Sequence, residues 1–133
     1  EVGSFTKLFS KDRANKYFSK GMVVFFAGGT GHPYFSTDTG VLLRAIEVDA
    51  DAILLAKAVD GVYSADPKLD PNAFRYDEIS ISEVIDKKLQ VVDLTASILA
   101  LENKMPMYVF SLNEENSIVN TINGKFNGTK VTV

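Results

Sequence analysis

One unit, spanning residues 23–46, constrains this chain more than any other. A β-branched and aromatic run at residues 22–26 leads directly into Gly28-Gly29-Thr30-Gly31. A segment whose Val41, Leu42, Ala45 and Ile46 share one helical face then follows. Residues 22–26 predict a buried strand, residues 28–36 a loop, and Thr37 or Asp38 the cap of a helix. A loop leaving the carboxyl end of a parallel strand is where open α/β sheets place their ligands. Glycines there let backbone amides approach a bound group, and amides at a helix N-terminus favour an anion such as phosphate. Thr30, Ser36 and Thr37 add hydroxyls to the same loop. A tight strand-to-helix turn would use the same small residues, so the glycines alone leave the two readings even.

The rest of the chain continues the alternation. Phe5, Leu8, Phe9, Tyr17 and Phe18 recur at helical spacing and predict a first amphipathic helix ending near Gly21. Residues 52–56 predict a second buried strand, and residues 57–72 a polar connection with Asp60-Gly61, Asp66-Pro67 and Asp70-Pro71 turns. A short helix is expected over 82–89, capped by Ser80 or Ser82, and another over 95–103, preceded by Asp93. Strand 107–112, helix 117–123 and strand 129–133 complete the order. The expected fold class is α/β, a layered α/β/α sandwich with a mostly parallel sheet, formed by residues 1–133 as one domain.

Composition removes several functions. The chain has no cysteine, which excludes disulfides, thiolate zinc sites and cysteine nucleophiles and fits a reducing cytosol. His32 is the single histidine, so no multi-histidine metal site is expected. Net charge is −3, without the clustered Lys and Arg of a nucleic-acid surface. The basic residues at positions 7–20 alternate with apolar ones and read as a solvated helix face. The longest apolar run, residues 22–27, is too short to span a bilayer, and no signal peptide is visible. No membrane or nucleic-acid partner is therefore expected, and the location expected is cytoplasmic.

Two phosphate motifs fail. No Gly-Lys-Ser/Thr closes the loop, and the third glycine of a dinucleotide fingerprint would fall at Tyr34. A flavin-linked NADP reductase can carry a Gly-Gly-Thr-Gly turn, but its later Cys-Gly motif needs a cysteine this chain lacks.

The run Phe26-Ala-Gly-Gly-Thr-Gly-His-Pro-Tyr-Phe-Ser-Thr-Asp38 resembles the UMP-binding signature of the bacterial UMP kinases, members of the amino acid kinase superfamily. Val59-Asp-Gly-Val-Tyr-Ser-Ala-Asp-Pro67 resembles that family's ATP-site loop. Gln90-Val-Val-Asp-Leu-Thr-Ala96, Met107-Tyr-Val-Phe-Ser111 and Gly128-Thr129 follow in family order, so the resemblance runs from about Val2 to Val133. It covers the C-terminal portion of the family's fold. The resemblance implies that Thr30, Gly31, His32, Pro33, Tyr34, Phe35, Ser36 and Thr37 contact UMP. It further implies that Tyr63 packs on the adenine of ATP while Lys57 and Asp66 line the same pocket. A tyrosine suits that task because it offers a flat apolar face with a polar tip; a half-buried core ring is its plain alternative.

Asp38 and Asp93 are the catalytic candidates, since a carboxylate can orient lysines or the metal shell during phosphoryl transfer. Helix capping is the competing role for both; Asp38 can serve in both, and Asp93 is expected to cap. The activity implied is transfer of the γ-phosphoryl of ATP to UMP, giving UDP for pyrimidine nucleotide synthesis, with ATP and Mg²⁺ as cofactors and no protein metal site. The family also implies a homo-oligomer, typically a hexamer, regulated by GTP and UTP. A non-catalytic nucleotide-binding module and a sibling carboxylate or carbamate kinase are the alternatives. The Pro33-Tyr34-Phe35-Ser36-Thr37 run favours the UMP branch.

Three departures stand out. His32 replaces the usual Asn, residues 56–58 lack the Asn or Thr often seen before Val-Asp-Gly, and the family's N-terminal half, with its phosphate-gripping loops, has no counterpart here. The 133 residues alone are therefore expected to supply the ATP pocket and part of the UMP site, and to be inactive by themselves.

Overall fold

A computed structural model describes residues 3–133; Glu1 and Val2, which open the expected domain span, lie outside the described residues. The chain groups into two compact units, Glu1–Ala50 and Asp51–Val133.

The first unit is helical. Helix α1 spans Lys11–Phe18, with Ser10 in extended backbone accepting from the Arg13 amide at 3.4 Å. Asp12 in the first turn and Lys16 in the last both complement the helix dipole. The helix is shorter than its aromatic periodicity suggests, because Phe5 and Leu8 precede the cap and are exposed. Helix α2 spans Thr37–Glu47 and buries Thr39, Gly40 and Leu42. Its cap is Ser36, not Thr37 or Asp38. Arg44 lies 3.9 Å over the Phe9 ring and pairs with Glu47 at 3.0 Å, while Phe9 meets Phe26 edge to face at 5.7 Å.

Residues 22–26 form no strand, contrary to their β-branched and aromatic composition. A strand is defined by its ladder, and no neighbouring strand among the described residues pairs with this segment. Val23 and Phe25 are instead 80% and 91% exposed.

The second unit is a mixed α/β fold. Its elements are β1 (Ile53–Lys57), β2 (Glu78–Ser80), α3 (Ile81–Asp86), α4 (Leu94–Glu102), β3 (Met107–Ser111), α5 (Ser117–Ile122) and β4 (Gly128–Thr132). The strand order is β1-β3-β4-β2. The β1/β3 and β2/β4 pairs are parallel and β3/β4 is antiparallel. The sheet is thus mostly parallel. Ile53 pairs with Met107, and Met107 with Val131, so one row of apolar side chains crosses three strands. With Leu55, Val109, Ile81, Val84, Ala96 and Ala100 they make the core. Each large apolar side chain buried there contributes roughly 1.5–3 kcal/mol. Edge strand β1 buries Ile53 and Leu55 but exposes Leu54, so it is half-buried and not fully so. Among the described residues no helix is long and apolar enough to cross a membrane.

Candidate functional site

In the first unit, residues 28–33 and 35–37 line an open pocket of about 360 Å³. Gly28, Gly29 and Gly31 have φ of +101°, +60° and +70°, a region L side chains rarely adopt. A Cβ at any of the three would meet nothing within 4 Å, so conformation rather than crowding requires glycine there. At Gly40 of α2 a Cβ would rest 3.4–3.5 Å from the Gly29–Thr30 backbone, ordinary contact distance, so the helix lies against the loop.

Local hydrogen bonds shape the loop. The His32 amide donates to Thr30 Oγ1 at 3.1 Å, and the Thr30 hydroxyl donates to the His32 carbonyl at 3.3 Å. Ser36 Oγ accepts from the Asp38 and Thr39 amides at 3.1 and 3.4 Å, fixing the start of α2. Asp38 sits in the first turn of α2 rather than capping it, where its charge complements the helix dipole. Thr30, Gly31, His32, Pro33, Phe35, Ser36 and Thr37 line the cavity, together with Gly28 and Gly29. Tyr34 does not: its φ is +70°, and its side chain is fully exposed. The lining combines hydroxyls, one imidazole, backbone amides and the Phe35 ring. That set can hydrogen-bond a polar heterocycle and hold an anionic group.

The second unit holds the other candidates. Lys57 ends β1 and its Nζ donates to the Val91 carbonyl, tying the carboxyl end of that strand to the stretch before α4. Asp93 caps α4, accepting from the Ala96 amide at 2.9 Å. Asp66 is exposed, and its Oδ1 accepts from the Lys68 amide at 2.9 Å within its own turn. Tyr63 is half-buried, and its hydroxyl donates to Asp60 Oδ1 at 2.9 Å.

Asp60 is the centre of a network that sequence reading treats only as a turn. Its Oδ2 accepts from Arg75 Nη1 at 2.8 Å. Arg75 Nη2 donates to Asn127 Oδ1 at 3.1 Å, and Asn127 Nδ2 donates to Glu114 Oε2 at 3.1 Å. Burial alone would raise the Asp60 carboxyl, but the Tyr63 hydrogen bond, a backbone hydrogen bond and the charge and hydrogen bond of Arg75 together outweigh it and hold the group below the usual carboxylate range. The same bond to Asp60 pushes the Tyr63 phenol above its ordinary value, with desolvation adding to it. Below this network the buried Thr129 hydroxyl accepts from the Val62 amide at 2.8 Å and donates to the Tyr76 carbonyl. Among the described residues no three His, Cys, Asp or Glu side chains stand together as a metal cage.

The chain is similar to known proteins over nearly its whole length. A uridylate kinase from Pseudomonas syringae pv. syringae is 46% identical over 126 residues, which is 95% of this chain and 51% of that protein. The crystal structure of a UMP kinase from Bacillus anthracis aligns at a TM-score of 0.92 and 33% identity, covering 98% of this chain and 54% of that one. A UMP kinase from Ureaplasma parvum also reaches 0.92, at 36% identity, over 100% of this chain and 57% of its own. The chain spans about half the length of the curated relatives it matches. Residues 3–111, which hold both the glycine loop and the Asp60–Tyr63 turn, match the pattern of the amino acid kinase family. The chain belongs to the amino acid kinase family.

Proposed function

We propose that the full-length protein is a UMP kinase, transferring the γ-phosphoryl of ATP to UMP, and that these 133 residues are one portion of its kinase domain. The observation that carries the reading is the residue 28–37 cavity, formed by the run that resembles the UMP signature. Thr30, Ser36, Thr37 and the loop amides would hold UMP, with His32 in place of the usual Asn offering a ring nitrogen to the base. Tyr34 would join the site only by turning inward from its exposed position. Tyr63 would lie on the adenine of ATP, with Lys57 and Asp66 beside it, and Mg²⁺ would arrive on the ATP phosphates. Asp38, next to the lining residue Thr37, is the better placed of the two catalytic candidates; the capping bond of Asp93 accounts for its carboxylate. Arg44, engaged with Phe9 and Glu47, is not assigned to phosphate binding. A cytoplasmic homo-oligomer, with GTP and UTP as effectors, rests on the family resemblance alone.

Calorimetry on the full-length protein with UMP, CMP and AMP tests the assignment of the loop. UMP is expected to bind at least about tenfold tighter than the other two, the discrimination that one well-placed hydrogen bond supplies. Equal affinity for all three would remove the UMP assignment and favour another branch of the family.

A further inference from the structure

The ring of Tyr63 is oriented by a chain of side chains that ends far from it in sequence. Its hydroxyl meets one oxygen of Asp60, and Arg75 meets the other at 2.8 Å. The same Arg75 nitrogen also reaches the Asp60 carbonyl at 3.4 Å, while its second nitrogen holds Asn127. The backbone repeats the pairing: Tyr63 and Arg75 face each other in an isolated antiparallel bridge. The Ser64 amide donates to the Phe74 carbonyl at 3.0 Å and the Tyr76 amide to the Val62 carbonyl at 2.9 Å on either side of it. The Arg75 stem runs across Gly61, where a Cβ would come within 2.7 Å of its Cδ. One guanidinium thus bridges a carboxylate and an amide at once, which a lysine ammonium with its compact head cannot reproduce from one position.

We infer that Arg75 is a positioning residue for the Tyr63 ring, setting through Asp60 the attitude in which that ring receives a nucleobase. The inference rests on the reading of Tyr63 as the adenine contact. Global stability is a minor part of the role: the Asp60 side chain is 43% exposed and the Arg75 side chain 25%, and ion pairs so placed contribute little to folding. What the pair fixes is orientation. A phenol anchored at its tip presents its face without first giving up ring freedom on binding, the gain from preorganisation.

ATP and UMP dissociation constants of the full-length protein are to be measured for wild type, Arg75→Lys, Arg75→Gln, Tyr63→Phe, Tyr63→Ala and the double variant Tyr63→Phe/Arg75→Lys. Arg75→Lys and Arg75→Gln are expected to weaken ATP roughly fivefold, the worth of one aromatic contact, with UMP affinity unchanged. In the Tyr63→Phe background the Arg75→Lys change should have no further effect on ATP, because the hydroxyl it acts through is gone. Additive losses, or Arg75 variants that bind ATP like wild type, would overturn the positioning role. If Tyr63→Ala also binds ATP like wild type, the adenine assignment falls with it; if Tyr63→Ala alone weakens ATP, that assignment stands and only the Arg75 inference fails.

Discussion

Gly128→Ala is expected to destabilise the protein by about 3 kcal/mol or more, the upper range for overpacking a well-ordered interior. The added Cβ would lie 2.0 Å from the Val109 carbonyl oxygen and 3.0 Å from the Phe126 ring. The first neighbour is backbone of β3, so no side-chain rotation relieves the clash. The β3–β4 ladder must separate at the point where Phe110 pairs with Gly128. The damage should spread to the candidate site, since the next residue, Thr129, holds Val62 and Tyr76 through its hydroxyl. Urea unfolding of the full-length protein reads the effect as a lower midpoint. An unchanged midpoint would mean that β3 and β4 are further apart here than a 2.0 Å clash requires.

Met107→Ala carries the second largest expected loss, about 2–5 kcal/mol. Met107 is fully buried on β3, between Ile53 of β1 and Val131 of β4, so truncation leaves a void lined by three strands. Leu54→Ala, on the exposed side of β1, is the matched control and should cost under about 1 kcal/mol. Denaturant midpoints of the two variants decide it. Equal losses would show that burial does not distinguish the two faces of the sheet.

Much of this fold is legible in the residues, and its failures have physical causes. Strands β1 and β3 are short apolar runs and β4 alternates Thr129, Val131 and Thr132 around one lysine, so composition finds all three within a residue of their bounds. Helix starts are marked by Ser80 and Asp93, whose side chains accept from the Glu83 and Ala96 amides. At α2 three capping residues stand in succession, and composition cannot choose among Ser36, Thr37 and Asp38. The choice falls to Ser36, which has extended backbone and is followed by helical residues. Helix ends are harder to read because Asp49, Lys88 and Lys104 take the left-handed position that glycine usually marks. Their closing bonds are ordinary ones, such as the Leu89 amide to the Val84 carbonyl and the Met105 amide to the Ala100 carbonyl, both at 2.9 Å. Strand β2 has one apolar residue in three and exists through its ladder with β4. Residues 22–26 show the opposite case, a strand-like composition without a neighbour to pair with among the described residues.

The site divides in the same way. The glycine loop is local, so its turn chemistry shows in consecutive residues. The Asp60–Arg75–Asn127–Glu114 network joins residues 15, 52 and 13 positions apart, each unremarkable alone, and no local pattern signals it. Asp60-Gly61 reads as a turn, and Gly61 is in fact a buried bend with no room for a Cβ beside Thr129 and Arg75.

We propose above all that the residue 28–37 loop serves a kinase that phosphorylates UMP. A coupled assay of ADP release by the full-length protein, with Mg-ATP and either UMP, CMP, AMP or no acceptor, tests it most directly. The expected result is ADP formation that depends on UMP, at roughly 1–100 s⁻¹ as is ordinary for kinases, with little from the other two nucleotides. ADP release that ignores UMP, or that responds equally to all three acceptors, would contradict it.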